Sequence, residues 1–350
     1  MARRPGMRDL AAAAGVSLAT VDRALNGRES VGADTRARLA EMAARIGHPA
    51  AARLAGPQGR LAPEVIFGVV LHKQGQDFYR AFAEELQRAV AAAPGIRGRL
   101  VLEFSASQSP SEMAGVLRRM QGRCDVLAAT AVNHPEVTAA VEDLRAAGLA
   151  VFSLLSDFAP GVRAGYLGLN NLKVGRTAAW IIALSAAAAA QGRGPGKVAL
   201  IVGGHRWHGH DLRAAGFRAC LREAAPELQV LETLVNLETR QLTYEATRAL
   251  LARHADLRGI YVAGGGMEGA IAACREAAAP GRVALVVSAL TPESRTGLAD
   301  GTVTLVTDTP LEKLCRVLIA RMAGVALKSE AGGSGDQHFL PPDLHVRDSV

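Results

Sequence analysis

The densest run of chemically capable side chains is His205-Arg206-Trp207-His208-Gly209-His210-Asp211-Leu212-Arg213, which combines three imidazoles, a carboxylate and two guanidiniums. A metal site is conceivable there, but the histidine spacing fits neither two ligands one helical turn apart nor a zinc ribbon. Neutral imidazoles hydrogen-bonding a ligand are the better reading. Asp211 and Glu268 have the chemistry of an acid and base pair, yet nothing in the sequence brings them together. Gly264-x-Gly266-x-x-Gly269 follows an apolar run and has the form of a dinucleotide fingerprint. It lacks the acidic residue about 20 positions on that would hold a ribose, since Ala284 to Ala289 is apolar or small throughout. These glycines are better suited to letting backbone approach a ligand or a neighbouring element. There is no nucleophile elbow and no phosphate-cradling lysine loop. Cys124, Cys220, Cys274 and Cys315 are widely separated and form no C-x-x-C pair, so they read as reduced thiols. The chemistry on offer is recognition, and the expectation is a binding protein without catalysis, cofactor or metal.

These side chains need a scaffold, and the pattern from Val65 onward supplies one. Apolar runs at 65–71, 100–106, 126–132, 149–155, 197–204, 230–235, 259–265, 283–290 and 303–308 alternate with helical stretches such as 77–92, 111–121, 135–147 and 171–190. Strands apolar on both faces belong to parallel sheets covered by helices. Strand–helix alternation implies βαβ units. Nine or ten strands divide into two doubly wound sheets, with the break between Leu155 and Asn171 and GRGPG (192–196) as a surface loop. Ligands of such sheets bind beyond the carboxyl ends of the strands, so the residues just after each run are the candidates.

The chain has 350 residues, 49% hydrophobic and 4% aromatic, enough for two or three domains with real cores. The formal net charge is +7, and the first 60 residues, with ten arginines against five acids, hold +5 of it. A small basic segment before a nearly neutral body points to a polyanionic partner. Residues 47–63 are rich in proline and glycine, a linker composition. The alanine-rich run 178–190 is shorter than the roughly 20 residues a membrane span requires. Arg3-Arg4 is followed by Asp9 and no long apolar stretch, so a cytoplasmic protein is expected.

Residues 7–46 read as three short helices: Met7 to Ala14, a second from Leu18, and Ala33 to Ile46. Gly15 makes the turn, Ser17 is a good N-cap, and Val16, Val21, Ala24 and Leu25 face inward. This is a helix-turn-helix pattern. Ala11, Ala14-Gly15-Val16-Ser17, Thr20-Val21, Arg23 and Leu25-Asn26, followed by Val31, Thr35-Arg36, Leu39, Ala43 and Gly47, closely resemble the headpiece of the LacI/GalR (lactose/galactose-repressor) family. The resemblance implies that the second helix enters the major groove. Leu18 and Ala19 would then face base edges, Arg23 would read a base, and Ser17, Thr20 and Asn26 would meet phosphates. Asp22 replaces a small polar residue usual in the family. It can accept from a cytosine amino group or restrain Arg23 through an ion pair, and the ion pair is the expectation. Leu54 is the candidate for a minor-groove wedge, although the linker is shorter than in relatives.

The body, over residues 64–325, resembles the periplasmic sugar-binding fold that this family fuses to its headpiece. That resemblance places Asp77, Phe78 and Tyr79, Asn170, His210, Asp211 and Arg213, Glu268, and Asp308 around an effector, with Phe78 and Tyr79 able to stack on a sugar and core packing the alternative for Phe78. The acidic residues that relatives carry after the strands at 259–263 and 283–288 are missing here, displaced to Glu268 and Glu293. The expected organisation is a headpiece (1–47), a hinge (48–63) and a two-lobed effector and dimerisation domain (64–350). As a whole the chain reads as a homodimeric transcription regulator of pseudo-palindromic operator DNA, controlled by a small polar, carbohydrate-like effector. The competing reading is a solute-binding protein of a transport or sensing system.

Overall fold

A computed structural model describes residues 5–26, 31–54, 62–188, 196–277, 280–328 and 336–350. The chain divides into two compact units, the first running to Glu64 and including Pro94–Arg97, the second holding the remainder. In the first, helices α1 (Met7–Ala14), α2 (Leu18–Leu25), α3 (Ala33–Arg45) and the single turn α4 (Ala51–Leu54) enclose a small core. Gly15 closes α1 at φ +62°, a left-handed conformation that costs glycine little. Ser17 caps α2 by accepting from the Thr20 N–H at 3.1 Å. Leu10, Val21, Leu39, Ala43 and Leu54 are almost fully buried together.

The second unit carries two sheets. The first is ordered β12-β5-β4-β3-β1-β2, from β1 (Glu64–His72), β2 (Arg97–Ser105), β3 (Val126–Ala129), β4 (Val151–Leu154), β5 (Gly165–Leu169) and β12 (Gln337–Leu340). The second is ordered β13-β11-β10-β9-β6-β7, from β6 (Gly196–Val202), β7 (Leu228–Val230), β9 (Leu257–Val262), β10 (Ala284–Ser288), β11 (Leu305–Asp308) and β13 (Asp343–His345), with β8 (Leu234–Val235) also on β6. The pairings β1–β3–β4–β5–β12 and β6–β9–β10–β11 are parallel, and β13 is antiparallel to β11. Buried on both faces, these strands read as continuous apolar runs. The nine runs expected from sequence each hold a strand, with 230–235 taking the end of β7 and all of β8. Three short strands escape that reading. In β5 a side chain at Gly165 would press on the Phe152 ring and one at Gly168 on Tyr166, so packing demands residues of low strand propensity. The other two, β12 and β13, are sheet-edge strands of three or four residues.

Helix α5 (Asp77–Ala91), α6 (Pro110–Arg119) and α7 (Pro135–Ala146) cover the first sheet, and α8 (Asn171–Ala188), α9 (His208–Ala224), α10 (Arg240–Arg253), α11 (Met267–Glu276) and α12 (Pro292–Ala299) the second. The last helix, α13 (Leu311–Ala326), follows β11 but packs on α5, β3 and β5 of the first lobe. The chain therefore passes between lobes three times among the described residues, at 169–171, 308–311 and 340–343. A buried pair anchors the returning β12: Arg163 donates to Asp157 (2.7 Å from Nη2) and Gln337 donates to the same carboxylate at 3.0 Å.

Helices α8 and α9 meet backbone to backbone. A side chain on Gly175 would run into the Arg213 carbonyl, and one on Gly216 into that of Leu172. This contact sets Arg213 against Asn171 at the start of α8, where its Nε donates to Asn171 Oδ1 at 2.7 Å. Gly216→Ala is expected to force the helices apart and destabilise the body by about 1–3 kcal/mol. Urea unfolding of wild type and variant checks this; an unchanged midpoint would mean that the two helices can part freely.

Candidate functional site

The carboxyl ends of both sheets face one cleft, with about 120 Å³ of interior space, room for one small polar molecule or a few waters. Its walls come from the segments that follow the strands: Gln76–Tyr79 after β1, Thr130 after β3, Leu155 and Ser156 after β4, Asn171 after β5, Trp207, His210 and Arg213 after β6, Glu238 after β8, Gly264–Glu268 after β9, Ser288 to Thr291 after β10, and Thr309 after β11. This is where open parallel sheets bind ligands. Local strain gathers here too. Lys73, Leu155, Leu237, Glu238 and Ala289 are non-glycine residues at positive φ, and all lie in or beside the cleft. Such conformations persist only where surrounding contacts enforce them.

Leu237 and Glu238 form a hook from the second lobe into the first. Lys73 Nζ donates to the Leu237 carbonyl at 2.7 Å and to that of Glu238 at 3.2 Å, and Gln76 Nε2 donates to the latter at 3.0 Å. The Glu238 carboxylate, 8% exposed as a residue, lies 3.6 Å from Lys73 Nζ and 3.6 Å from His210 Nε2, and accepts from the Gly265 N–H at 3.2 Å. Gln108 donates to it at 3.4 Å while accepting from Trp207 Nε1 at 3.1 Å. Burial pushes the Glu238 carboxyl up, but the His210 ring when protonated, the Lys73 ammonium and the Gly265 N–H outweigh it and hold the group below its usual range. Burial, opposed by Glu238, brings His210 down to about 4. His210 is thus neutral at physiological pH, and Lys73 supplies the counter-charge. Further bonds join the lobes, among them Gly209 N–H to Ser156 Oγ at 3.0 Å and Asn133 N–H to the Arg206 carbonyl at 2.9 Å. The glycines after β6 and β9 find their reason here. A side chain on Gly203 would strike Glu238, and one on Gly264 would come within 2.6 Å of the His210 ring.

Of the effector residues expected from sequence, Asp77, Phe78, Tyr79, His210, Arg213 and Glu268 line the cleft. Three do not. Asn170 caps α8 by accepting from the Lys173 N–H at 3.1 Å, and its neighbour Asn171 faces the cleft. Asp211 lies outward near the exposed His205, at 3.7 Å, because a helix turns consecutive side chains about a quarter-turn apart. Asp308 accepts from the Leu290 N–H at 3.1 Å, while Thr307 and Thr309 on either side of it reach the cleft. The three histidines diverge, His205 outward and His210 inward. Glu293 pairs with Arg275 instead of serving the cleft. Lys73, Gln108 and Glu238 were not singled out by sequence reasoning; their position just after strands was the available signal.

In the first unit, the outer face of α2 presents Leu18, 42% exposed, with Ala19 exposed beside it. Ser17 and Thr20 hydroxyls bond each other at 2.8 Å, and Arg23 Nε donates back to the Ala19 carbonyl at 3.2 Å. The expected Asp22–Arg23 pair does not form: adjacent helical residues point apart, and Asp22 accepts from Asn26 Nδ2 at 3.0 Å, one turn on. Leu54 is not presented as a wedge either. It is 2% exposed in the headpiece core, and withdrawing it would cost about 1.5–3 kcal/mol.

Residues 67–323 match the family model of the periplasmic binding protein domain, and residues 6–48 that of bacterial regulatory proteins, lacI family. No curated protein matches the chain in sequence. Among solved structures, an ABC transporter solute binding protein from Burkholderia graminis in complex with D-arabinose is similar at 20% identity and TM-score 0.71, covering 81% of this chain and 96% of that one. One from Actinobacillus succinogenes with bound D-allose has 16% identity and TM-score 0.71, covering 82% and 98%. One from Agrobacterium vitis bound with alpha-D-tagatopyranose has 16% identity and TM-score 0.72, covering 81% and 95%. At these identities the likeness is one of fold. With a lacI-family DNA-binding headpiece ahead of it, this two-lobed chain belongs to the periplasmic binding protein domain family as a regulator of the LacI/GalR type.

Proposed function

We propose that the protein is a sequence-specific transcription regulator whose operator affinity is set by closure of its two lobes around one small, polyhydroxylated molecule. The observation that carries this reading is a single chain joining a capped, outward-facing α2 to a cleft walled by hydroxyls, amides and Arg213 between two parallel sheets. Helix α2 enters the major groove, with Leu18 and Ala19 against base edges and Arg23, once turned from the Ala19 carbonyl, reading a base. A homodimer would pair two headpieces on a pseudo-palindromic site. The sugars held by fold neighbours support a carbohydrate-like effector. The protein works by binding, without chemistry on its ligand, and acts in the cytoplasm where its DNA lies. No helix among the described residues is long and apolar enough to cross a membrane. The fold neighbours favour a transport solute-binding protein as the second reading, and the headpiece weighs against it.

An effector changes DNA affinity only through its different affinity for the open and closed arrangements. Deleting residues 1–60 is expected to abolish DNA binding and to spare ligand binding, read by fluorescence anisotropy and calorimetry; DNA affinity that persists would sink the headpiece assignment. Arg23→Ala should weaken binding to a selected operator by about 1–3 kcal/mol while leaving random DNA unaffected. An equal loss on both would make Arg23 a phosphate contact.

The closed lobes should also respond to pH. His210 has a folded pKa of about 4, below its ordinary 6.5. The unfolded chain therefore takes the proton first, and stability that is full above 6.5 falls as pH drops toward 4. His72, also lowered by burial, acts in the same direction, so the informative quantity is the difference between His210→Gln and wild type. The melting temperature of the variant should fall less steeply between pH 6.5 and 4; parallel curves would place the ring in water.

A further inference from the structure

Every charge in the cleft wall can be followed to a partner except two. Asp77 pairs with Arg80 on its own helix, and Glu238 is answered by Lys73. Arg213 has only neutral partners: Nε donates to Asn171 Oδ1 at 2.7 Å, and Nη1 to the Ala263 carbonyl at 2.7 Å and Ser288 Oγ at 3.0 Å. Among the described residues no carboxylate lies within ion-pair distance of it. Glu268 is the second exception, and burial, reinforced by Asp77, pushes its carboxyl above the usual range. A half-buried guanidinium held by three neutral acceptors is thus a cleft charge with no ion-pair partner among the described residues.

The backbone adds to the same sign. Five helices begin at the cleft wall, with Gln76 before α5, Asn171 opening α8, Trp207 before α9, Gly266 before α11 and Thr291 before α12. Their N-termini contribute partial positive charge, although several of their N–H groups are already capped, as by Asn170 at α8, Ser156 at α9 and Thr291 at α12. The wall also carries the hydroxyls of Ser156, Thr130, Ser288, Thr291 and Thr309, beside apolar and aromatic residues such as Phe78, Leu155 and Trp207. A neutral polyol would offer the guanidinium hydroxyl oxygens only, whereas an acid group would also answer its charge.

Resting on the reading of the cleft as an effector site, we infer that the effector bears an acid group, a carboxylate or a phosphate on a polyhydroxylated body, seated on Arg213. The guanidinium offers a planar fork to such a group, and Asn171 and Ser288 hold that fork in place.

The test uses full-length protein and matched pairs that differ in the acid group: D-galactose with D-galactonate, and D-glucose with D-glucuronate and with glucose 6-phosphate. Thermal shift screens the set and calorimetry gives affinities. At least one acid should bind more tightly than its neutral parent by about tenfold or more. The carboxylate and phosphate arms decide which acid is taken. Arg213→Gln should erase the preference and Arg213→Lys should restore part of it. Should the Gln variant fail to fold, the wild-type affinity for the acid must still fall with added salt while that of a neutral sugar does not. Neutral parents binding as tightly as their acids would overturn this inference and leave the effector site standing. A response to neither acids nor neutral sugars would overturn both.

Discussion

Glu238 brings a carboxylate, 8% exposed, to the meeting of two lobes, and much of the cleft is arranged to keep it there. Its own backbone and that of Leu237 sit at positive φ, as does that of Lys73, whose ammonium reaches across to both carbonyls. Each such residue costs on the order of 1–3 kcal/mol. Their coincidence at one point means that the interlobe contact holds the strain in place. The bare backbone at Gly203 and Gly264 makes room for the carboxylate and the imidazole beside it. Closure thus has protein contacts of its own, and a ligand adds to an arrangement already part-built. A small molecule in this cleft needs to supply only the difference between closed and open, not the whole of it.

The same geometry explains which parts of the molecule were legible in the sequence. Parallel strands covered on both faces are apolar throughout, so nine of them stood out, and a helix that begins with proline or asparagine after such a run declares its start. The rule that ligands lie beyond the strand ends located the cleft, and Phe78, Tyr79, His210, Arg213 and Glu268 fall within it. Partnerships over long sequence separation were invisible. Lys73 and Glu238 lie 165 positions apart and come together only because two sheets face one another. The run Gly264-Gly265-Gly266 resembles a dinucleotide loop because close approach needs the same residue whatever approaches it. Here the neighbours are a carboxylate and a ring from the protein itself.

Errors of one position have a simpler origin. Asn170 and Asn171 are adjacent, yet one caps a helix while the other braces an arginine, since a single step rotates the side chain by about a quarter-turn. Asp211, one step past His210, is carried out of the cleft in the same way. In the headpiece, Asp22 prefers Asn26, one turn along, to Arg23 beside it. Leu54 is a case of tertiary context overriding local expectation: an apolar side chain next to a small, incompletely covered core is drawn into it.

The path of the chain through the lobes bears on how the molecule is made. The first lobe takes its last helix and an edge strand from Leu311–Ala326 and Gln337–Leu340, after all of the second lobe but its edge strand β13 has been translated. Phe82, Leu86 and Val90 of α5 are buried in a lobe that includes α13, the helix packed on α5. During synthesis that lobe must wait, its sheet one strand short and an apolar helix face uncovered, while the second lobe leaves the ribosome. Nascent chains of this topology are therefore natural clients for a chaperone that shields one amphipathic helix until its late partner arrives.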